Sequence, residues 1–268
     1  WYLTLSTKKY TKEGINLRWK DYPSGTGAMC KALREKEIDM AVILTEGIVR
    51  DIIDGNDCKI VQVFVKSPLI WGIHVAQDSK YMKIEDLRGT KAAISRFGSG
   101  SHLMAYVNAE NQKWDTNQDL GFQIINDLNG ALESLPKGEG DYFMWEKFMT
   151  QPYVDNGTFR KVGECPTPWP CFVIAVRNDV LETDSDAIQK ILEVINNTTN
   201  TFKEIQYIDE IIKNRYGIKL EDAREWLSLT EWSQGQLSKN EVENIQNQLL
   251  NLNLIKNKIQ INSLLHNF

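Results

Sequence analysis

The chain has 268 residues, a formal net charge of −5 and an apolar fraction of 42%, and its acidic and basic residues are mixed along its length. This composition is typical of a globular protein with a hydrophobic core and excludes an intrinsically disordered chain. No basic stripe is present, which disfavours nucleic-acid binding, and no apolar run approaches the roughly 18–20 residues of a transmembrane helix.

The first three residues, Trp1, Tyr2 and Leu3, are typical of the inside of a structural element rather than of a terminus. We therefore expect that the sequence is truncated at its N-terminus and that any signal peptide has been lost with the missing residues. The expected location stays open: periplasmic or lipid-anchored if a signal peptide existed, and cytoplasmic otherwise.

Up to Arg177, short apolar runs alternate with segments of helical spacing, and this order predicts an α/β fold with largely parallel sheets. Strands are predicted at 15–19, 40–44, 59–65, 70–75, 90–94, 122–125, 142–145 and 172–176. Helices are predicted at 26–35 and 46–53 in the first part of the chain.

A turn of small residues precedes the first predicted helix. The first N–H groups of a helix carry partial positive charge and lack intrahelical partners, so they can hold an anion or a polar head group. Ser24, Gly25 and Thr26 are therefore candidate ligand-binding residues, although serine is equally typical of a helix cap. Thr45 and Glu46 begin the next helix and are candidates too, with the alternative that the helix dipole alone stabilises the carboxylate.

Residues 95–102 form a second such turn, between the strand at 90–94 and a helix at 103–110. Its two glycines and its hydroxyl groups favour ligand binding, but GxGxxG and the P-loop lysine are absent, so it is not a nucleotide fingerprint. Arg96 can pair with an anion or lie on the surface, and His102 can donate to a ligand or belong to the helix surface or cap. The other candidates in this turn are Gly98, Ser99, Gly100 and Ser101.

Aromatic residues accompany a carboxylate after the strand at 142–145. Trp145 can stack on a flat ring while Glu146 binds an amino or amidine group, or Trp145 can belong to the core. Trp71 lies in an extended segment and is a candidate for closing the pocket, with padding between lobes as the alternative.

Two extended segments that contain proline, 65–75 and 165–176, are predicted to connect two lobes and to act as a hinge. One lobe then comprises residues 1–72 plus 172–268, and the other comprises residues 73–171. Beyond Arg177 the chain is predicted to be almost entirely helical. The predicted helices are 186–202, 208–216, 220–227 and 241–250, followed by a partly ordered tail at 251–268.

The cysteines and histidines supply no catalytic or metal-binding motif. Cys30, Cys58, Cys165 and Cys171 form no CxxC pair, which disfavours a zinc ribbon, and HExxH and GxSxG are absent. A Cys165–Cys171 disulfide and free thiols both stay open, because the redox compartment is not known from the sequence. We expect no catalytic residues, no metal and no cofactor.

Three segments together resemble one known family: the turns at 23–27 and 97–102, and Met144-Trp145-Glu146. They are similar to type 2 periplasmic solute-binding proteins of the nitrate, alkanesulfonate, taurine and thiamine-precursor branch, and the resemblance extends over residues 1–232. The sequences at 19–23, 43–47 and 166–170 resemble those of a sub-branch found in fungi and Bacteroidetes. The resemblance implies two lobes, each a mixed sheet flanked by helices, a helical C-terminal extension, and the loss here of the family's N-terminal strand.

The resemblance also implies a monomer that closes on a small flat or anionic ligand in the cleft between its lobes and delivers it to the permease of an ABC-type importer. A heteroaromatic ligand such as an aminopyrimidine is expected to bind to Trp145 and Glu146. A sulfonate or carboxylate is expected to bind at the helix starts. One alternative is an enzyme of thiamine-pyrimidine or menaquinone biosynthesis on the same scaffold, although the pyrimidine synthase would need clustered cysteines. The other is a ligand-sensing regulatory domain, which would need an attached DNA-binding segment.

Overall fold

Two sheets organise the chain, each in its own compact unit. The computed structural model describes residues 1–268, which divide into unit 1, Trp1–Ser67 with Trp169–Phe268, and unit 2, Pro68–Pro168. The chain leaves and re-enters unit 1 a few residues before the lobe boundaries expected at 72 and 172.

Every predicted strand except 15–19, and every predicted helix, corresponds to an element of the structure, and the structure has further elements that were not predicted. The strands are β1 Met40–Leu44, β2 Cys58–Val65, β3 Ile70–Ala76, β4 Thr90–Ile94, β5 Leu120–Ile124, β6 Tyr142–Glu146, β7 Phe159–Pro166 and β8 Phe172–Arg177. The helices are α1 Tyr2–Ser6, α2 Lys9–Lys12, α3 Thr26–Arg34, α4 Thr45–Ile53, α5 Gly100–Asn111, α6 Leu128–Ser134, α7 Lys147–Asp155, α8 Asn178–Thr183, α9 Ser185–Asn200, α10 Ile208–Tyr216, α11 Leu220–Leu229, α12 Lys239–Asn251 and α13 Ile261–Leu264.

The sheet of unit 1 has the order β1-β8-β2, and the central β8 runs antiparallel to both neighbours. β1 and β2 therefore point the same way, as the strand–helix alternation predicts. The largely parallel sheet that this alternation implies is nevertheless not found, because the returning strand inserts between them in the opposite direction. Val173 to Val176 are buried at every position, so both faces of β8 are covered.

The strand predicted at 15–19 is wrong. Residues 15–20 have no regular secondary structure, although their composition suits a strand. A strand exists only by pairing its backbone with a neighbour, and neither sheet offers one to this segment. Trp19 instead stays half exposed and stacks on Trp1, with 5.4 Å between ring centroids.

The sheet of unit 2 is mixed, with the order β5-β4-β6-β3-β7. β4 runs parallel to β5 and β6, whereas β3 runs antiparallel to β6 and β7. β7 was not predicted from the sequence. Only its last two residues lie in the extended segment 165–176 that was predicted to connect the lobes. This edge strand pairs with β3 and places Cys165 opposite Trp71, which sets the register of the first connecting segment.

The region beyond Arg177 is helical, as predicted, and α9 buries the expected stripe of Ile188, Ile191, Leu192 and Ile195. The C-terminal tail is anchored to the sheet of unit 1, because Leu265 forms a bridge with Ile60 of β2. All four cysteines of the chain are buried, and none forms a disulfide. No helix of the structure combines the length and the apolar character needed to cross a membrane.

Candidate functional site

Unit 1 gathers its candidate residues at one edge of its sheet. β1 ends at Leu44, opposite Phe172 at the start of β8, and α4 begins at the next residue, Thr45. The start of α3 lies beside it, because Gly47 has no side chain: a Cβ there would come within 2.3 Å of the Thr26 methyl carbon. Ser24, Gly25, Thr26, Thr45 and Glu46 are thereby brought together.

The start of α3 carries no side-chain cap. The N-cap residue is Gly25, at φ +73°, a conformation that side chains rarely adopt, and exposed Ser24 is therefore not the cap that its position suggests. The N–H groups of Ala28 and Met29 donate to the Gly25 carbonyl. The N–H groups of Thr26 and Gly27 have no partner within the helix, as is general for the first residues of a helix.

The start of α4 is tied into the fold. Thr45 is fully buried and its hydroxyl donates to the Pro170 carbonyl at 2.6 Å. Glu46 is 3% exposed, and its Oε2 accepts a hydrogen bond from the indole N–H of Trp169 at 2.8 Å. Burial raises the pKa of Glu46 to about 7, against the opposing effects of its own backbone N–H and of Trp169. This carboxyl can therefore gain or lose a proton near neutral pH.

Unit 2 gathers its candidates in the same way. β4 and β6 are parallel neighbours, so their carboxyl ends meet at one edge of the sheet, where α5 and α7 begin. β3 starts at that edge, with Trp71 directly opposite Glu146. The edge therefore holds the turn at 95–101 together with His102, Trp71, Trp145 and Glu146.

The hydroxyl groups of the unit 2 turn are occupied by the turn itself. Ser99 caps α5 by accepting the His102 N–H at 3.3 Å, and Ser101 Oγ accepts the Ser95 N–H at 2.9 Å. Gly98, at φ +76°, donates its N–H to His102 Nδ1 at 3.1 Å. The N–H groups of Gly100 and Ser101, the first two residues of the helix, have no partner within it.

His102 and Arg96 take different places. The His102 ring is buried among aromatic rings, with centroids 4.7 Å from Phe122, 5.1 Å from Tyr106 and 5.3 Å from Phe97. This packing and the bond from Gly98 give His102 a structural role in shaping the turn. Arg96 is exposed, as is typical of arginine, and is free to approach an anion.

Glu146 is the N-cap of α7: its Oε2 accepts the Met149 N–H at 2.8 Å, and burial raises its pKa. The Trp145 ring stacks on Phe143 at 5.3 Å and meets Trp71 edge-on at 6.3 Å. Trp71 is 5% exposed, and its indole N–H is buried without a hydrogen-bond partner.

Sequence reasoning missed two contacts beside these edges. Trp169 lies in the second extended segment, where the sequence leaves open whether it closes the pocket or packs between lobes, and its indole N–H donates to Glu46. Buried Lys147 pairs with Glu164 of β7 at 3.0 Å, a contact invisible without β7. A tryptophan between two prolines gives no sign of a carboxylate partner 123 residues away, so only the fold reveals this bond.

Comparison with known proteins gives a consistent result. Residues 71–165 match the model of the Ca3427-like PBP family. Comparison with curated proteins gave no match.

Three solved structures share the fold. The CA3427 gene product of Candida albicans, described as defining a new family with the generic periplasmic binding protein fold, is 24% identical, with a TM-score of 0.86 over 99% of this chain and 91% of its own. The alkanesulfonate-binding protein SsuA of Xanthomonas axonopodis pv. citri, bound to MOPS, is 14% identical, with a TM-score of 0.82 over 100% and 94%. The aliphatic sulphonate binding protein SsuA of Escherichia coli is 16% identical, with a TM-score of 0.77 over 98% and 87%.

These likenesses establish the fold as that of the periplasmic binding proteins, with two sheets flanked by helices. The match of residues 71–165 to the Ca3427-like PBP family model agrees with the resemblance to the type 2 binding proteins over that part of the chain. Two of the solved neighbours named above are described as an alkanesulfonate-binding and an aliphatic sulphonate binding protein.

Proposed function

We propose that this chain is a solute-binding protein whose ligand is a small anion held at the starts of α3 and α4 in unit 1. The observation that carries the proposal is the uncapped start of α3. Its Thr26 and Gly27 N–H groups stand next to a second helix start, and aligned helix dipoles favour negative charge there.

The contacts of unit 2 support one of the two ligand classes over the other. A flat cationic or amidine-bearing ligand would need Glu146 as its partner, but that carboxylate already accepts an N–H from its own helix. Trp145 is likewise occupied by Phe143 and Trp71. We therefore favour a sulfonate or carboxylate over an aminopyrimidine, and the MOPS complex of the Xanthomonas protein supports a sulfonate.

Delivery to the permease of an ABC-type importer remains part of the proposal, because the alkanesulfonate-binding neighbours motivate it without showing it for this chain. No covalent chemistry is needed: recognition by N–H groups is the whole activity. This fold carries many functions, so the site rather than the fold supports the choice.

Native mass spectrometry of freshly purified protein tests the function. We expect a co-purified small anion, or stoichiometric binding when an alkanesulfonate is added. A chain that carries no solute and binds none from a panel of sulfonates, carboxylates and aminopyrimidines would contradict the proposal. Selective binding of an aminopyrimidine would overturn the ligand class and retain the binding role.

A further inference from the structure

The stretch that leads into β8 is tied to the start of α4 by three hydrogen bonds. The Thr45 N–H donates to the Cys171 carbonyl at 3.2 Å, and the Thr45 hydroxyl donates to the Pro170 carbonyl at 2.6 Å. The third bond runs from Trp169 Nε1 to Glu46 Oε2 at 2.8 Å. The first bond continues the β1–β8 pairing by one step, whereas the third ends on an ionisable group.

Glu46 has an unusual position for a carboxyl group. It is 3% exposed, and its hydrogen bonds come from its own backbone N–H and from the Trp169 indole, both of which are neutral donors. Removing an ionised carboxylate from water without an opposite charge is costly, so burial favours the protonated form. Near pH 7 the group exists in both states.

The charged side chains around α4 are paired with one another. On the elements that pack against it, Arg34 of α3 pairs with Asp51, and Lys239 of α12 pairs with Glu243. The titratable thiol of Cys30 on α3 is buried, and burial raises its pKa above the usual range. The other ion pairs on these elements and on α4 itself are Lys31–Glu35, Arg50–Asp54, Arg177–Asp39 and Arg177–Asp179.

We propose that an anionic ligand binds at the starts of α3 and α4 together with one proton, which Glu46 takes up while Trp169 holds its carboxyl in place. The inference rests on the proposed function, because it takes the ligand to be an anion. The Glu46 carboxyl accepts a hydrogen bond from its own backbone N–H and therefore lies at the start of α4, and Gly47 brings this helix start against Thr26 of α3. Protonation removes a like charge from the site and adds an O–H donor.

The sign of the coupling follows from this arrangement. A bound anion disfavours ionised Glu46, so its pKa is higher in the complex than in the free chain. Above about pH 7 the free chain has lost the proton that the complex needs. Affinity then falls by up to about tenfold for each pH unit, and proton uptake approaches one. Below that pH the affinity is constant and no proton is taken up.

Calorimetric titration with ethanesulfonate, which does not titrate in this range, tests the coupling. Titrations at pH 6, 7 and 8, each in two sulfonate-free buffers of different ionisation enthalpy, count the protons taken up. We expect uptake to rise from pH 6 to pH 8 while the affinity falls up to about tenfold from pH 7 to pH 8. Glu46→Gln, which is neutral at every pH, should bind without uptake and with a pH-independent affinity.

Trp169→Phe separates positioning from packing. It removes an N–H that favours the ionised carboxylate, so the midpoint of the affinity profile should move to higher pH. Trp114→Phe, at another buried tryptophan, is the matched control and should leave the midpoint unchanged.

Binding without proton uptake, or uptake that persists in Glu46→Gln, overturns the inference and leaves the proposed function intact. An unmoved midpoint in Trp169→Phe overturns the role of that residue. Failure of ethanesulfonate to bind at any pH overturns the inference as well. In that case the solute found by native mass spectrometry decides separately whether the binding function stands.

Discussion

The two units start their helices in different ways at the sheet edge. In unit 2, Ser99 caps α5 and Glu146 caps α7 with their own side chains. In unit 1, α3 follows the N-cap Gly25 and has no side-chain cap, so the N–H groups of Thr26 and Gly27 are not satisfied by a capping side chain. Two turns of similar composition therefore differ in their hydrogen bonding. In a turn that is rich in hydroxyl groups, a side chain can already cap the helix.

The units also differ in their buried ionisable groups. Unit 1 buries the acid Glu46, whose pKa is raised to about 7, and unit 2 buries the base His74, whose pKa is lowered to about 4. Burial is the main cause in both, because it disfavours the charged form of either group. The two units should therefore respond to pH in opposite directions.

The largest expected effect is the pH response of unit 1. Folded Glu46 binds its proton up to about pH 7, whereas an unfolded glutamate loses it near 4.5. The stabilisation is thus fully present below pH 4.5 and is lost as pH rises through 7, a change on the order of 3 kcal/mol. Relative to the original chain, Glu46→Gln should have a higher free energy of unfolding at pH 8 than at pH 5. Denaturant titration of both proteins at the two pH values measures this difference. An equal pH slope in both proteins would contradict this.

Unit 2 should show a response of similar size and opposite sign. The His74 ring is fully buried, with Nε2 3.0 Å from the Thr150 hydroxyl, and its pKa is lowered by burial and secondarily by Lys161. Its contribution is present above the unfolded pKa of 6.5 and is lost as pH falls toward 4, again on the order of 3 kcal/mol.

His74→Gln should therefore flatten the loss of unfolding free energy between pH 6.5 and pH 4, while His266→Gln, near the C-terminus, serves as the control. If the acid sensitivity of His74→Gln equals that of the original chain, His74 is not its source.

A smaller effect tests the contact between α3 and α4. Gly47→Ala places a Cβ against the Thr26 methyl, so one helix start has to move, at a cost of about 1–3 kcal/mol. We expect a weaker affinity for ethanesulfonate together with the loss of stability. Adding Thr26→Ser removes that methyl and should restore much of both. A double variant no better than Gly47→Ala would show that this contact does not set the geometry.

The smallest effect tests the capped turn. Ser99→Ala removes the cap of α5 and should lower the unfolding free energy by about 1 kcal/mol. Because the hydroxyl is engaged within the turn, the affinity for ethanesulfonate should change less than twofold. A large loss of affinity with unchanged stability would instead place Ser99 in contact with the ligand and weaken the contrast between the units.

The sequence predicted much of the local structure. Helical spacing located α3, α9 and α10 nearly to the residue, because the side chains that must be buried recur with the period of the helix. The small residues before α3 marked its start correctly, whereas α5 begins at Gly100, inside the predicted turn and before the helix predicted at 103–110. Local chemistry thus determined which residues lie at the sheet edges and which class of fold carries them.

Tertiary structure decided which of those residues remain open to a ligand. Whether 15–19 forms a strand depends on a neighbour, and the direction of β8 depends on where the returning chain inserts; neither is encoded locally. The bond between Trp169 and Glu46 joins distant residues, and the burial that raises the pKa of Glu46 exists only once unit 1 has packed. Hydrogen bonding and desolvation depend on the folded surroundings of a group. The sequence therefore identified candidate binding residues but could not show which of them already have hydrogen-bond partners.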